Sequence, residues 1–147
     1  MIGNFINPLS FSSHAVVSLG DLVYQVLSQM GMGERLLKEF NQHSTIVLKF
    51  NEALDISISV SDDRLWVWSV LQEVDRSTIY KKAIEILSVI SESVENVETG
   101  QLTWGESDQG YEIKALVNLK CLSQEGGFKK LIEDFYNKIH DLHDLIH

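Results

Sequence analysis

Apolar and polar residues alternate with period two through Thr45 to Leu71, TIVLKFNEALDISISVSDDRLWVWSVL, and that alternation predicts three short antiparallel strands. Ile46, Leu48 and Phe50, then Leu54, Ile56, Ile58 and Val60, share one face, while Thr45, Lys49, Asp55, Ser57 and Ser59 point the other way. The third strand breaks the rule. Leu65 and Val67 face one side and Trp66, Trp68 and Val70 the other, so this strand is apolar on both faces and its second face calls for a cover. Asn51-Glu52-Ala53 and Ser61-Asp62-Asp63 are connections of hairpin length, which predicts a meander.

Helical spacing takes over on either side. Ser18 with Asp21 resembles a capping box, and Leu19, Leu22, Val23, Val26, Leu27 and Met30 mark one face of a first helix that Gly31 and Gly33 stop. A short helical turn, Glu34 to Phe40, then leads into the first strand. After the meander, Asp75 or Ser77 caps a helix whose stripe Ile79, Ala83, Ile86, Leu87, Ile90, Val94 and Val97 holds for about five turns. Val89 widens that stripe beyond what packing on one sheet needs, which points to a second contact surface. Leu102 and Trp104 predict a fourth strand, and Tyr111, Ile113, Ala115, Val117 and Leu119 a fifth. Phe128, Leu131, Ile132, Phe135, Ile139, Leu142 and Ile146 define a last amphipathic helix. The order is α-β-β-β-α-β-β-α, an α+β fold with a mainly antiparallel five-stranded sheet packed by helices. Residues 1–17 read as a loose N-terminal tail and residues 18–147 as a single domain.

Composition narrows the function classes. A chain of 147 residues with a formal charge of −9 repels phosphate backbones and anionic lipid surfaces, so neither nucleic acid nor membrane insertion fits it. The first lysine or arginine is Arg35, and Pro8 and a serine cluster interrupt the apolar N-terminus, unlike a secretory signal. A lone cysteine, Cys121, near the end of a predicted strand, excludes an internal disulfide and suits a reducing cytoplasm. No glycine-rich phosphate loop, dinucleotide fingerprint, nucleophile elbow or helical zinc-protease motif is present, so no enzyme and no cofactor is expected. His140, His143 and His147 share a helix face with Asp141 and Asp144 nearby, but a solvated helix end accounts for them better than a metal site. Asp62-Asp63 and Glu133-Asp134 read as solvated charge. The three tryptophans fit core or protein interface better than a small-molecule pocket, because no convergent polar groups accompany them.

The element order together with STIVLKFNEALDISISVSDDRLWVW, KKAIEILSVI and GYEIKALVNLK resembles the class IB chaperones of type III secretion systems, the SpaK/InvB family. The resemblance covers roughly residues 18 to 146. It implies a cytoplasmic homodimer from a Gram-negative bacterium that binds the N-terminal regions of secreted effectors, keeps them extended, and hands them to the secretion apparatus and its ATPase. It also implies a client groove built from the first helix and the meander, with candidates Leu22, Val26, Val47, Ile56, Ile58, Trp66 and Trp68. The subunit interface it implies centres on the second helix, with candidates Ile79, Ala83, Ile86, Leu87, Ile90 and Val94, joined by Trp104 of the fourth strand. In the N-terminal segment, Ile2, Phe5, Ile6, Leu9 and Phe11 offer the chemistry of a client and so could occlude the empty groove. The alternative reading is a non-chaperone interaction module of the same α+β fold.

Overall fold

Strands β1 (Thr45–Asn51), β2 (Leu54–Ser61) and β3 (Arg64–Leu71) form the expected meander in a computed structural model that describes residues 15–33, 45–51 and 54–147. Ile46, Ile58 and Val67 stand opposite one another across it, which fixes a register that puts every branched aliphatic of β2 on one face. Ser61 and Arg64 close the second turn over Asp62 and Asp63, whose φ of 52° and 60° match the primed turn that a tight, right-twisted hairpin favours. The first turn is less regular: the β1–β2 register shifts between Lys49 and Asn51.

Strands β4 (Thr103–Ser107) and β5 (Gly110–Leu116) complete an antiparallel sheet of order β1-β2-β3-β5-β4, so β1 and β4 are its edges. Gly110 has no substitute here, since its φ is 138° and a β-carbon would strike the carbonyl oxygen of Leu71 on the neighbouring strand.

Helix α1 (Ala15–Gln29) begins three residues before Ser18. The capping-box reading of Ser18 is therefore corrected: aspartate is a poor third-position partner for such a box, and nothing between Ala15 and Ser18 breaks a helix. Its end follows the expectation, with Gly31 at φ 86° donating to Ser28 O and Met32 donating to Leu27 O, the paired bonds of a Schellman motif. Residues 1–14 and the predicted helical turn at 34–40 lie outside the described residues.

The second helical region is shorter than its stripe and divided. Segment α2 (Arg76–Lys81) and segment α3 (Ala83–Ser91) meet at Lys82, and the chain turns extended at Glu92, φ −67° and ψ 137°. Val94 and Val97 keep helical spacing without helical structure. The end of β5 captures them instead: Val97 bridges Val117, Glu98 donates to Leu116 O at 2.8 Å, and Asn118 donates to Asn96 O at 2.8 Å. Tertiary pairing here overrides local periodicity.

Likewise β5 stops at Leu116, and Leu119 and Cys121 fall in a 3₁₀ turn, Leu119–Ser123, capped by Asn118 Oδ1 accepting from Lys120 N at 3.1 Å. Cys121 is thus buried in a turn rather than placed on a strand. Helix α4 (Gly127–Ile146) realises its predicted stripe, with Phe128, Leu131, Phe135, Ile139 and Leu142 all essentially inaccessible. It lies against β2 and β3, α1 lies against β2 and the 3₁₀ turn, and α3 packs on α4. One core therefore joins the helices to a single face of the sheet.

Candidate interaction surfaces

The other face of the sheet is where the aromatic anomaly of β3 sits. Two rows run across it: Thr45, Ser59, Trp66 and Leu116, and beside it Val47, Ser57, Trp68, Lys114 and Thr103. Trp66, Trp68, Val70 and Leu116 are all half-buried, and Val47 is 40% exposed. Several polar groups on this face pair with one another. Trp68 Nε1 donates to Ser59 Oγ at 2.9 Å, Ser59 Oγ also meets Thr45 Oγ1 at 2.9 Å, and Lys114 pairs with Glu112 at 2.9 Å. Ser57, only 7% exposed, lies in the row between Val47 and Trp68. The result is an apolar, aromatic strip crossed by a few internal polar pairs, suited to contact with another apolar surface rather than to polar chemistry.

The predicted client residues divide between the two faces. Val47, Trp66 and Trp68 come together on this outer strip. Ile56 and Ile58 are fully buried on the opposite face, inside the core. Leu22 and Val26 lie one turn apart on α1, half-buried against that same core. Val70 and Leu116 belong to the strip and were missed, although Val70 continues the alternation of Trp66 and Trp68. Leu116 could be placed only once β5 was known to pair with β3.

A second exposed apolar surface is a helical ridge. Tyr80, Ile84 and Leu87 are 69%, 81% and 64% exposed, at spacings of four and three residues that bring them onto one line. Ala83 is exposed beside them, while Ile79 is half-buried and Ile86 and Ile90 are buried. Val94 is buried in the loop that follows, and Trp104 is half-buried on the core side of β4, its ring 5.2 Å from that of Tyr111. Of the predicted interface residues, then, Ala83 and Leu87 lie on the ridge. Tyr80 and Ile84 are the ridge residues that a single broad stripe concealed.

At the C-terminus, His140 and His143 both approach Asp144, at 3.4 and 3.7 Å, and the rings of His143 and His147 stack at 4.4 Å. No grouping of His, Cys, Asp and Glu able to hold a metal ion occurs among the described residues. Burial pushes the Cys121 thiol up to about 11, which keeps it protonated and unreactive near neutrality.

The family profile for the Invasion protein B family matches residues 31–108, more than half of the chain. The protein named Surface presentation of antigens protein SpaK of Salmonella typhimurium is 34% identical over 121 residues, covering 82% of this chain and 90% of the relative. The chain belongs to the Invasion protein B family. A Salmonella typhi protein that bears the same name as the Salmonella typhimurium relative matches this chain to the same extent. Membership of the Invasion protein B family makes this a type III secretion-associated protein, in line with the resemblance carried by the strand and helix segments. The part matched by the Invasion protein B profile holds β1 to β3, the ridge and β4, so the ridge and all of the strip except its β5 residues fall within it. Among the described residues, no helix is long and apolar enough to cross a membrane.

Proposed function

We propose that this protein is a cytoplasmic, homodimeric type III secretion chaperone. It binds the N-terminal chaperone-binding regions of secreted effectors, keeps them extended, and delivers them to the secretion apparatus, whose ATPase is a further partner. The observation that carries the reading is the apolar, aromatic strip of Val47, Trp66 and Trp68 on the outer sheet face of a chain of this family, with Trp68 tied to Ser59 and Ser59 to Thr45. An extended segment lying over it removes apolar area from water while the Trp68 indole keeps its bond to Ser59. The net charge of −9 favours clients with basic or neutral N-termini.

The ridge of Tyr80, Ile84 and Leu87 supports the dimer. Side chains of this size, aligned and mostly in water, are the composition of a subunit contact, and a two-fold axis across the ridge buries the patch against its own copy. Co-expression with N-terminal fragments of the effectors encoded near this gene, followed by co-purification and light scattering, tests both parts. A stable complex of two copies of this chain with one fragment supports the proposal. Failure to retain any fragment, or a monomer at micromolar concentration, overturns it.

A further inference from the structure

Trp68 stands on β3, yet its indole Nε1 bonds Ser59 Oγ on β2, so the ring reaches across the line between the two strands. On the outer face β2 carries small side chains, Ser57 and Ser59, and β3 carries bulky ones, Trp66, Trp68 and Val70. Charged pairs flank these rows. Lys49 pairs with Asp55 at 3.4 Å on the β1 side, and Lys114 pairs with Glu112 at 2.9 Å on the β5 side. Val47 and Lys114 share one row of the sheet, so Lys49 and Glu112, each two residues further along, share the next. Lys49 and Lys114 offset Asp55 and Glu112, and this part of the surface escapes the acidity that gives the whole chain its charge of −9.

We propose that a second copy of this chain covers the outer strip when no client does, the two sheets packing face to face about a two-fold axis that follows the β2–β3 line. Such an axis sets β3 of each copy over β2 of the other, and β5 over β1. Trp66 then rests over the partner copy's Ser59 and Trp68 over its Ser57, bulky row against small row. The two Trp68 rings, each leaning toward the axis, meet across it in the offset contact that aromatic pairs favour. One row further, Glu112 of each copy faces Lys49 of the other, which brings opposite charges together twice. An axis running across the strands would instead stack β3 on β3 and leave the serines facing each other over a void. Aligned sheets cross at about 30°, which keeps the rows nearest the axis in contact.

This contact is modest in size and separate from the ridge. A face of five strands, each about 20 Å long and about 4.8 Å from the next, offers roughly 500 Å² per copy, short of the roughly 800 Å² per partner of a standard stable interface. Association at the strip therefore depends on concentration and yields to a client that binds the same residues. Helix α3 packs on α4, on the opposite side of the sheet, so a dimer formed at the ridge keeps both strips free to join other dimers. The competition with a client rests on the chaperone reading above; the self-pairing does not.

Light scattering of the full-length protein, from micromolar toward millimolar concentration, is expected to show a mass that rises above that of the ridge dimer. Lys49→Glu and Glu112→Lys should each weaken this association about ten-fold, and the double variant carrying both should restore it, with melting temperatures unchanged throughout. Trp68→Ala should abolish it. A mass that stays at the dimer over the whole range overturns the proposal and leaves the chaperone reading standing. Larger assemblies that neither charge reversal disperses, or that the double variant fails to restore, overturn it as well. An N-terminal effector fragment that the protein retains on co-purification should disperse the assemblies. If the assemblies respond to charge reversal but persist with the fragment bound, the self-pairing stands and the strip is lost as the client site. If they respond and no fragment is retained, the self-pairing stands and the chaperone reading falls.

Discussion

Trp68 is tied across the β2–β3 pair to Ser59, with indole Nε1 donating to Ser59 Oγ at 2.9 Å, and the same hydroxyl reaches Thr45 on β1. One serine thereby holds the largest side chain of the outer strip in place and connects three strands. A ring already fixed loses less freedom on contact with a partner. Ser59→Ala should therefore cost about 1 kcal/mol in folding stability and shift tryptophan emission toward that of free indole. A melting curve and emission spectrum identical to the unaltered protein would show that the bond contributes nothing.

The two faces of the meander should respond in opposite ways to truncation. Trp68→Ala on the strip is expected to weaken effector-fragment binding by about 2 kcal/mol and to leave most of the folding stability intact. Ile58→Ala, at a fully buried position, should instead cost about 2–5 kcal/mol of stability. Calorimetric titration paired with denaturant melts separates them. A Trp68→Ala protein that binds as before, or that unfolds as readily as Ile58→Ala, would place the client elsewhere.

Charge on the second helical region offers a similar contrast. Ile84→Asp lies on the most exposed part of the ridge and should give a folded monomer by light scattering. Ile86→Asp sets an unpaired carboxylate in the core, which costs about 3–5 kcal/mol, and should unfold the chain or drive it to aggregate. A dimer that survives Ile84→Asp would remove the ridge from the interface.

The Asp62-Asp63 turn holds two non-glycine residues in the left-handed region, and Asp63 Oδ1 is shielded from solvent without a hydrogen-bond partner. Asp63→Gly should raise stability by about 0.5–1 kcal/mol, since glycine adopts this φ without strain. A lower melting temperature for the variant would mean that the carboxylate has a stabilising role.

Cys121 makes stability depend on alkaline pH. Its folded-state value is pushed above an ordinary 9.0 to about 11 by burial, so the folded chain holds the proton more tightly than the unfolded chain. The stabilisation is complete below pH 9 and is lost as pH rises from there toward 11. Cys121→Ala should flatten that part of the stability curve relative to the unaltered protein. Parallel curves for the two would show that the thiol titrates normally.

The meander, the α4 stripe and the glycine stop of α1 were legible because each rests on local pattern: alternation, helical spacing, or a residue that alone tolerates a left-handed backbone. Trp66 and Trp68 were legible as an exception to that pattern. What escaped depended on partners distant in sequence. Val94 and Val97 follow helical spacing, yet pairing with Val117 draws their segment into a loop. Leu119 continues an alternation that Asn118 ends by capping a turn. Leu116 joins the strip only because β5, not β4, lies beside β3. Ile56 and Ile84 show the same limit from two sides, since a stripe tells which residues are apolar and not which of them the rest of the molecule covers.

The strand order has a kinetic consequence. β1, β2 and β3 close through short hairpins, whereas β5 reaches β3 only after the chain has traversed α2, α3 and β4. The loop-closure cost is small for the meander and larger for the β3–β5 seam, so that seam governs the rate at which the whole sheet assembles. Until it closes, Trp66 and Trp68 lack their Leu116 and Lys114 neighbours and the newly made meander shows apolar side chains on both faces. Closure of the β3–β5 seam is therefore the step expected to end the nascent chain's exposure of apolar surface on both faces of the meander.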